Sequence, residues 1–314
     1  GEGDFKKSRG LFREGDDGGG PAVIYAFARH HQHKFPVQLT CEVLGVSVSG
    51  YYAWRDRPRS ARAARRAALL EKIKRVHAAN RRVYGSPRVY EALKGEGEKM
   101  SLNTIASIMK SHGIRATSHK RFRVKTTDSN HANPIAPNTL DRKFDVKTIN
   151  TVWTTDITYI VTDEGTLYLA GVMDLCSRRV VGWSMSNSME TKLVRDALTM
   201  AVKARRPAAN LLHHSDRGVQ YTSREYRAML DSIDATSSMS RTGNCYDNAP
   251  TESFWGKLKI EMVYHEHFTT HAEAKAAIFD YIEVFYNRQR RHSRLGNCSP
   301  AAFAQQWVRQ QPAT

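Results

Sequence analysis

Cysteine is scarce in this 314-residue chain: Cys41, Cys176, Cys245 and Cys298 are its four, and none belongs to a Cys-x-x-Cys pair. That spacing excludes a zinc ribbon and a disulfide framework, and isolated thiols fit a reducing cytoplasm. Long apolar runs are also missing. No stretch approaches the length of a membrane span and no secretory signal is visible, so no membrane partner is expected. Acidic residues are outnumbered, 31 Asp and Glu against 48 Lys and Arg, for a formal net charge of +17. So basic a chain predicts a polyanionic partner, nucleic acid first. An initiating Met is absent, and Gly1 is expected to begin either a fragment or the downstream part of a longer product.

Against that basic background, three acids stand out by position. Asp156 lies in the middle of Trp153 to Tyr159, a strand pattern rich in β-branched and aromatic residues. Asp216 ends the run Leu211 to Asp216, which reads as a buried strand delivering a carboxylate to its end. Glu252 follows Pro250 and Thr251, where Pro suits the first turn of a helix. Taken singly, Asp216 could start a turn and Glu252 could face a helix dipole. Taken together, a mid-strand acid, a strand-end acid and a helix-start acid suit a pair of divalent cations. Mid-strand carboxylates are costly unless hydrogen-bonded or metal-bound, and Mg²⁺ prefers oxygen ligands. Paired ions of this kind clamp the attacking and leaving oxygens of phosphoryl transfer.

Asp216 and Glu252 are separated by 35 residues. With that gap, the blocks Trp153 to Tyr159, His214 to Gly218, Gly243 to Ala249, and Glu252 to Phe254 with Lys259 occur in order. In these blocks the chain resembles the DDE transposases of bacterial insertion sequences, specifically the second-frame product of the IS-three family, whose catalytic core is shared with retroviral integrases. The resemblance runs from about Phe35 to Phe303. It implies an α/β ribonuclease-H-like core, a mixed five-stranded sheet with helices, preceded by all-α helix-turn-helix regions. It also implies Asp156, Asp216 and Glu252 as catalytic metal ligands. Asp156 and Asp216 would share one Mg²⁺, Asp156 and Glu252 a second, and Mn²⁺ would substitute. Asp247, in the family's Asp-Asn-Ala block, is read as a decoy acid rather than a ligand. Lys259 sits at the offset where the family's third-acid helix carries a Lys or Arg.

Ahead of the core, residues 1–21 read as a flexible segment that resembles the joint of a frameshift fusion to an upstream DNA-binding protein, an expected partner. Residues 22–68 look helical, either a helix-turn-helix or an ordinary hairpin, with Val37, Leu39, Val43 and Leu44 supplying an apolar face. His30, His31 and His33 read as a solvated face, since only Cys41 is nearby to complete a zinc site. Between Arg55 and Arg88 twelve Lys or Arg face two acids, which favours phosphate contact over a merely solvated helix. Residues 69–125 form a second helical pair. Ser86 is expected as N-cap with Pro87 at the first helical position, and Ser101 to Thr104 opens the recognition helix. Val89, Leu93, Ile105, Ile108 and Met109 would be its core. A basic tail follows, as duplex binding requires, and residues 55–125 are expected to bind duplex DNA on their own. The expected contacts are Arg62, Arg65, Arg66, Arg88, Asn103, Thr104, Lys110, Arg115, Lys120, Arg121 and Arg123, joined in the core by Arg241, Lys257 and Lys259.

Residues 126–150 read as a linker, 151–265 as the catalytic core and 266–314 as a C-terminal helical region. Three consecutive strand signals, then helix and strand in alternation, match the ribonuclease-H-like order. The element Tyr286 to Gly296 could bind DNA or buttress the core. On the helix of Glu252, Lys259 recurs on the acid's own face while Lys257 falls well off it, an internal control. The function expected is metal-dependent strand cleavage and joining at insertion-sequence ends by a homo-oligomer on double-stranded DNA, in the bacterial cytoplasm at the nucleoid. Three other functions fit the residues less well. A non-enzymatic helix-turn-helix regulator leaves the acids without purpose, and a ribonuclease-H-type nuclease leaves the basic half without purpose. A paired-carboxylate glycosidase is disfavoured by the charge.

Overall fold

The computed structural model describes residues 20–58, 60–117, 133–242 and 245–311. Lys120, Arg121 and Arg123 lie outside the described residues, as do residues 1–19. The chain divides into two compact units, Gly1–Leu69 and Leu70–Thr314.

In the first unit, α1 (Pro21–His31), α2 (Val37–Val43) and α3 (Val48–Asp56) enclose a small core of Ala28, Cys41 and Tyr51. Ser47 caps α3, its hydroxyl accepting from the Gly50 amide at 3.0 Å. Leu39, expected inside, is 45% exposed. The buried face of α2 is carried instead by Thr40 and Cys41, because Thr40 returns its hydroxyl to the Pro36 carbonyl and thereby satisfies itself inside.

Helix α4 (Ala61–Ala79) runs across the division. In the second unit it is followed by α5 (Ser86–Gly95) and α6 (Leu102–Ser111), packed on Val89, Leu93, Ile105, Ile108 and Met109, all buried as expected. Ser101 caps α6 through the Thr104 amide. The cap of α5 is Gly85 rather than Ser86, which shifts Ser86 and Pro87 one place into the helix. This helical pair does not stand apart from the rest of the unit. Arg81 pairs with Asp280 and lies over the rings of Tyr281 and Phe285, and the Tyr84 hydroxyl accepts from the Arg291 amide at 2.8 Å. The helical pair is thus docked on the C-terminal region through Arg81 and Tyr84. Part of its basic run is also neutralised internally, Lys72 by Glu98 and Arg75 by Glu96.

The core is one five-stranded sheet of order β3-β2-β1-β4-β5. β1 (Val152–Thr162), β2 (Gly165–Asp174) and β3 (Val180–Ser186) form an antiparallel meander, and β4 (Leu212–Ser215) and β5 (Thr236–Met239) add parallel to β1. This is the mixed sheet expected. The parallel pair requires crossovers, and α7 (Thr191–Arg205), the one-turn α8 (Val219–Thr222) and α9 (Arg224–Ser232) supply them. Their apolar faces cover one side of the sheet, with Trp153, Val172, Val181, Leu198, Tyr226 and Leu230 in a single cluster. Close approach of α7 is permitted by Gly182, whose missing Cβ would stand 2.2 Å from the Ala197 carbonyl oxygen.

On the opposite side lie α10 (Ala249–Glu261), α11 (His271–Phe279) and the π-helical turn Asp280–Tyr286 that extends it. Helix α12 (Pro300–Gln310) ends the fold. Asn287, just past the π turn, bonds both backbone groups of Val180 on β3 at 3.0 Å. Arg290 is 2% exposed and donates to Glu261 on α10 at 2.8 Å. Of the two roles left open for Tyr286 to Gly296, Asn287 and Arg290 take the buttressing one. The described part of the expected linker, 133–150, is a strap rather than a free connector. Leu140 is buried, its amide donates to Ser238, and the Asn150 amide donates to Asp174.

Two glycines separate tight packing from open space. Gly182→Ala is expected to lower stability by about 1–3 kcal/mol, because a backbone carbonyl cannot yield to the new methyl. Gly256→Ala, mid-helix on α10 with nothing within 4 Å of its added Cβ, should instead raise stability by about 0.5–1 kcal/mol. Urea midpoints of the two variants check both signs.

Candidate active site

Alternation along β1 turns Thr154 and Asp156 toward α10 and Thr155 toward α8, where its hydroxyl lies 3.3 Å from that of Tyr221. Opposite Asp156 in the register is Gly171. The bare Cα there admits the indole of Trp255, whose ring would be only 2.8 Å from a Cβ at that position. Helix α10 thus lies close on the sheet beside Asp156. Its first turn is tied to β1 by two further bonds. Thr251 donates to the Thr154 hydroxyl at 2.8 Å, and the Asn248 amide group donates to the Thr155 carbonyl at 3.0 Å. Glu252, next along the chain, is exposed at this anchored turn.

Asp216 follows the last residue of β4, where the parallel pairing of β4 with β1 brings it alongside Asp156. One small cavity is lined by both acids together with Met189, Gly218, Gln220 and Tyr221. Each acid is oriented by a backbone amide, Ile157 N to Asp156 Oδ1 and Gly218 N to Asp216 Oδ1, both at 2.9 Å. Burial, then the neighbouring charges of Asp216 and Glu252, push the Asp156 carboxyl well above the usual carboxylate range. The three acids therefore share one electrostatic neighbourhood, but the structure does not gather them equally. Glu252 does not line the cavity, and among the described residues no three His, Cys, Asp or Glu side chains close round a single ion position. The donor set nevertheless fits a hard divalent cation: oxygen ligands only, with mutual repulsion that a cation would reverse.

Lys259 and Lys257 point into different surroundings, as their helical phase requires. The Lys259 ammonium lies 4.4 Å from the centre of the Tyr159 ring. Burial lowers its pKa while Asp156 and Glu252 pull the other way. Lys257 donates to Ser253 at 2.9 Å and has Arg290, Glu261, Arg88 and Arg178 as its charged neighbours. The buried pair His213 and His214 on β4 stays neutral, because burial pushes the two imidazoles down to about 3 and about 4. His213 meets the Tyr226 hydroxyl, and His214 lies between Ser238 and Ser240.

Asp247 is fully buried and its carboxylate is already occupied. Oδ1 accepts from Arg142 Nε and Arg241 Nη2, both at 2.8 Å, and Oδ2 accepts from Asn138 and from the Arg241 amide and Nε. Those bonds, Arg241's above all, hold its carboxyl well below the usual range. Arg241, expected among the DNA contacts, is here a structural partner of Asp247. This clamp, which joins the 138–142 strap to the turn before α10, was missed from the sequence. The one signal available was Arg142 in a segment taken for a linker. Of the remaining expected contacts, Arg62, Arg65, Asn103, Lys110 and Arg115 are exposed, Arg66, Arg88 and Thr104 are half-buried, and Thr104 also meets the Ser101 hydroxyl.

An acid-bearing mixed sheet behind a helix-turn-helix pair defines the class, a ribonuclease-H-like integrase core with a helical DNA-binding region, and comparison with known proteins agrees. Residues 147–245 and 252–308 match two Integrase core domain families, and 64–122 match an HTH-like domain family. The "Insertion element IS600 uncharacterized 31 kDa protein" of Shigella sonnei is 45% identical over 85% of this chain and 98% of its own length. Transposase InsF for insertion sequence IS3A of Escherichia coli strain K12 is 40% identical over 89% of this chain and 97% of its own. The chain belongs to the transposases of the IS3 family and is a DNA transposase, a polynucleotidyl transferase. Among solved structures, a simian T-cell lymphotropic virus intasome is similar with a TM-score of 0.44 at 15% identity, covering 77% of this chain and 75% of that one. The HTLV-2 integrase catalytic core domain in complex with magnesium is similar with a TM-score of 0.39 at 15% identity, covering 49% of this chain and 95% of that one.

The Asp247 clamp has a pH signature. A carboxyl held below its unfolded value contributes stability above about pH 3.9 and loses it as pH falls further. Asp247→Asn is expected to lower stability by about 2–3 kcal/mol at pH 7, the scale of charge-assisted hydrogen bonds. The gap to wild type should narrow below about pH 4. Urea denaturation across pH measures it, and a pH-independent gap would assign the loss to packing instead.

Proposed function

We propose that Asp156, Asp216 and Glu252 are the catalytic carboxylates with which this transposase cuts and joins the ends of its element. The observation that carries the assignment is the placement of three acids from a strand middle, a strand end and an anchored helix turn in one electrostatic neighbourhood, with a lysine beside them. Asp156 and Asp216 would hold one Mg²⁺ and Asp156 and Glu252 a second, with Mn²⁺ able to substitute. When bound, such ions supply Lewis acidity to the attacking and leaving oxygens.

The chain's own residues do the positioning. The Ile157 and Gly218 amides fix the two aspartates, and the Thr154–Thr251 bond fixes the turn that presents Glu252. Asp156, raised by its surroundings, must shed any proton it carries before it can serve as a ligand. The Lys259 ammonium, half-buried on the same side of α10, offsets the acids and suits a phosphate of the strand held against them. No covalent protein–DNA intermediate is required, so a serine or tyrosine nucleophile has no part. The exposed cations of the helical region, Arg62, Arg65, Lys110 and Arg115 among them, suit duplex phosphates outside the reacting site. Since two ends must be joined, the working form is a homo-oligomer on DNA, in a bacterial cytoplasm, with the upstream-frame product of the element as a further partner. Among the described residues no helix is long and apolar enough to cross a membrane.

Asp216→Asn should abolish cleavage and joining of element-end duplexes while changing DNA affinity less than about twofold. Joining retained by that variant would remove Asp216 from the site. Lys259→Ala should slow joining at saturating DNA by more than about tenfold, roughly the 1.4 kcal/mol or more that one charge-assisted phosphate contact contributes. Single-turnover rates on a gel distinguish the rate effect from a binding effect.

A further inference from the structure

On the side of α10 turned away from Lys259, cations from four parts of the chain converge. Lys257 has Arg290, Arg88 and Arg178 as its cationic neighbours, and the same three with Lys257 surround His292. Arg88 comes from α5, Arg178 from the turn between β2 and β3, and Arg290 and His292 from the segment after the π turn. The acids nearby are already engaged. Glu261 accepts from Arg290 and from the Tyr281 hydroxyl, each at 2.8 Å, and Asp174 accepts from the Asn150 and Ser177 amides, each at 2.9 Å or less. Among the described residues neither Arg88 nor Lys257 forms an ion pair.

Several polar atoms in this cluster are also buried and unpartnered: Arg290 Nη1, Arg178 Nε and His292 Nδ1. The side chains of Arg290 and Arg178 are themselves only 2% and 6% exposed. A buried donor without an acceptor costs free energy, and so does each like charge drawn out of water beside another. One anion would remove both costs together. In a chain that acts on DNA, the anion at hand is a backbone phosphate.

We propose that Lys257, Arg88 and Arg178, with His292 and the free edge of Arg290, form a phosphate-binding site for a backbone phosphodiester of duplex DNA remote from the phosphate being cut. Lys257 and Lys259 are two residues apart, about 200° around the helix axis. The two lysines therefore meet different stretches of DNA, and α10 is held by nucleic acid on both flanks. Arg88 brings the helix-turn-helix pair into the same contact, so DNA bound by that pair is registered against the catalytic helix. The inference rests on the chain's action on DNA and not on the assignment of the three acids.

The test uses the full chain in a metal chelator, with binding to a random-sequence duplex followed by anisotropy over a salt series. Lys257→Ala should weaken binding several-fold and flatten the log–log salt slope by about 0.9, one phosphate contact. Lys257→Arg should retain both. Burial and its cationic neighbours push the Lys257 ammonium down to about 8. Wild-type affinity should therefore fall as pH rises through about 8, where Arg88, Arg178, Arg290 and Glu261 are the other charges facing Lys257 and the His292 imidazole, pushed down to about 3, is neutral. The Arg variant should show no such fall. Because Lys257→Ala relieves repulsion in the free protein, its Tm should not drop. An unchanged affinity and slope in both Lys257→Ala and Arg88→Ala overturns the site, as does a lowered Tm with unaltered binding. Stabilisation of the wild-type chain by inorganic phosphate, without any effect of Lys257→Ala on duplex binding, assigns the cluster to free phosphate and also overturns the proposal. Because no metal is present, failure of the Asp216→Asn prediction leaves this result unaffected.

Discussion

Like charges must be kept together in a half-buried place, and the bonds between the start of α10 and β1 accomplish this. Thr251 to Thr154 and Asn248 to Thr155 attach the helix turn to the strand, and the indole of Trp255 lies on the gap left by Gly171. Everything behind the turn extends the same anchorage. Asp247 ties it to the 138–142 strap, and Arg290 ties the far end of α10, through Glu261, to the segment after the π turn.

The electrostatics of the second unit are divided by α10. On one flank three acids accumulate negative charge, tempered by Lys259. On the other, Lys257, Arg88 and Arg178 gather positive charge beside the Arg290–Glu261 pair. Fields of opposite sign on two flanks of one helix are costly in the free protein and useful to one that must hold DNA and cut it. The helix-turn-helix pair is not a separate tether in this arrangement. It leans on the C-terminal region through Arg81 and Tyr84.

Much of this was legible in the chain itself. Strand and helix types, the meander before the parallel strands, the capping role of Ser101 and the inward set Ile105, Ile108 and Met109 follow from local periodicity and turn chemistry, which act over a few residues. The three acids and Lys259 were singled out because each sits in a short block whose order and spacing are themselves local text. The 100° phase of a helix placed Lys259 with Glu252 and Lys257 elsewhere without any coordinates.

What the tertiary structure decided depends on partners far apart in sequence. Asp247 became a clamp only because Arg142, more than a hundred residues earlier, reaches it, and a segment without periodicity gave no sign of this. That Asn287 and Arg290 brace the core was decided by their bonds to Val180 and Glu261, residues far away in the chain. Nor could the sequence foresee that Glu252 would share a field with the other two acids without lining their cavity, or that Lys257 would meet cations from α5 and the β2–β3 turn. Composition fixed the net charge and local pattern fixed the elements. Which charges came to face one another was decided by packing, because electrostatic and hydrogen-bond partners are set by distance in space and not along the chain.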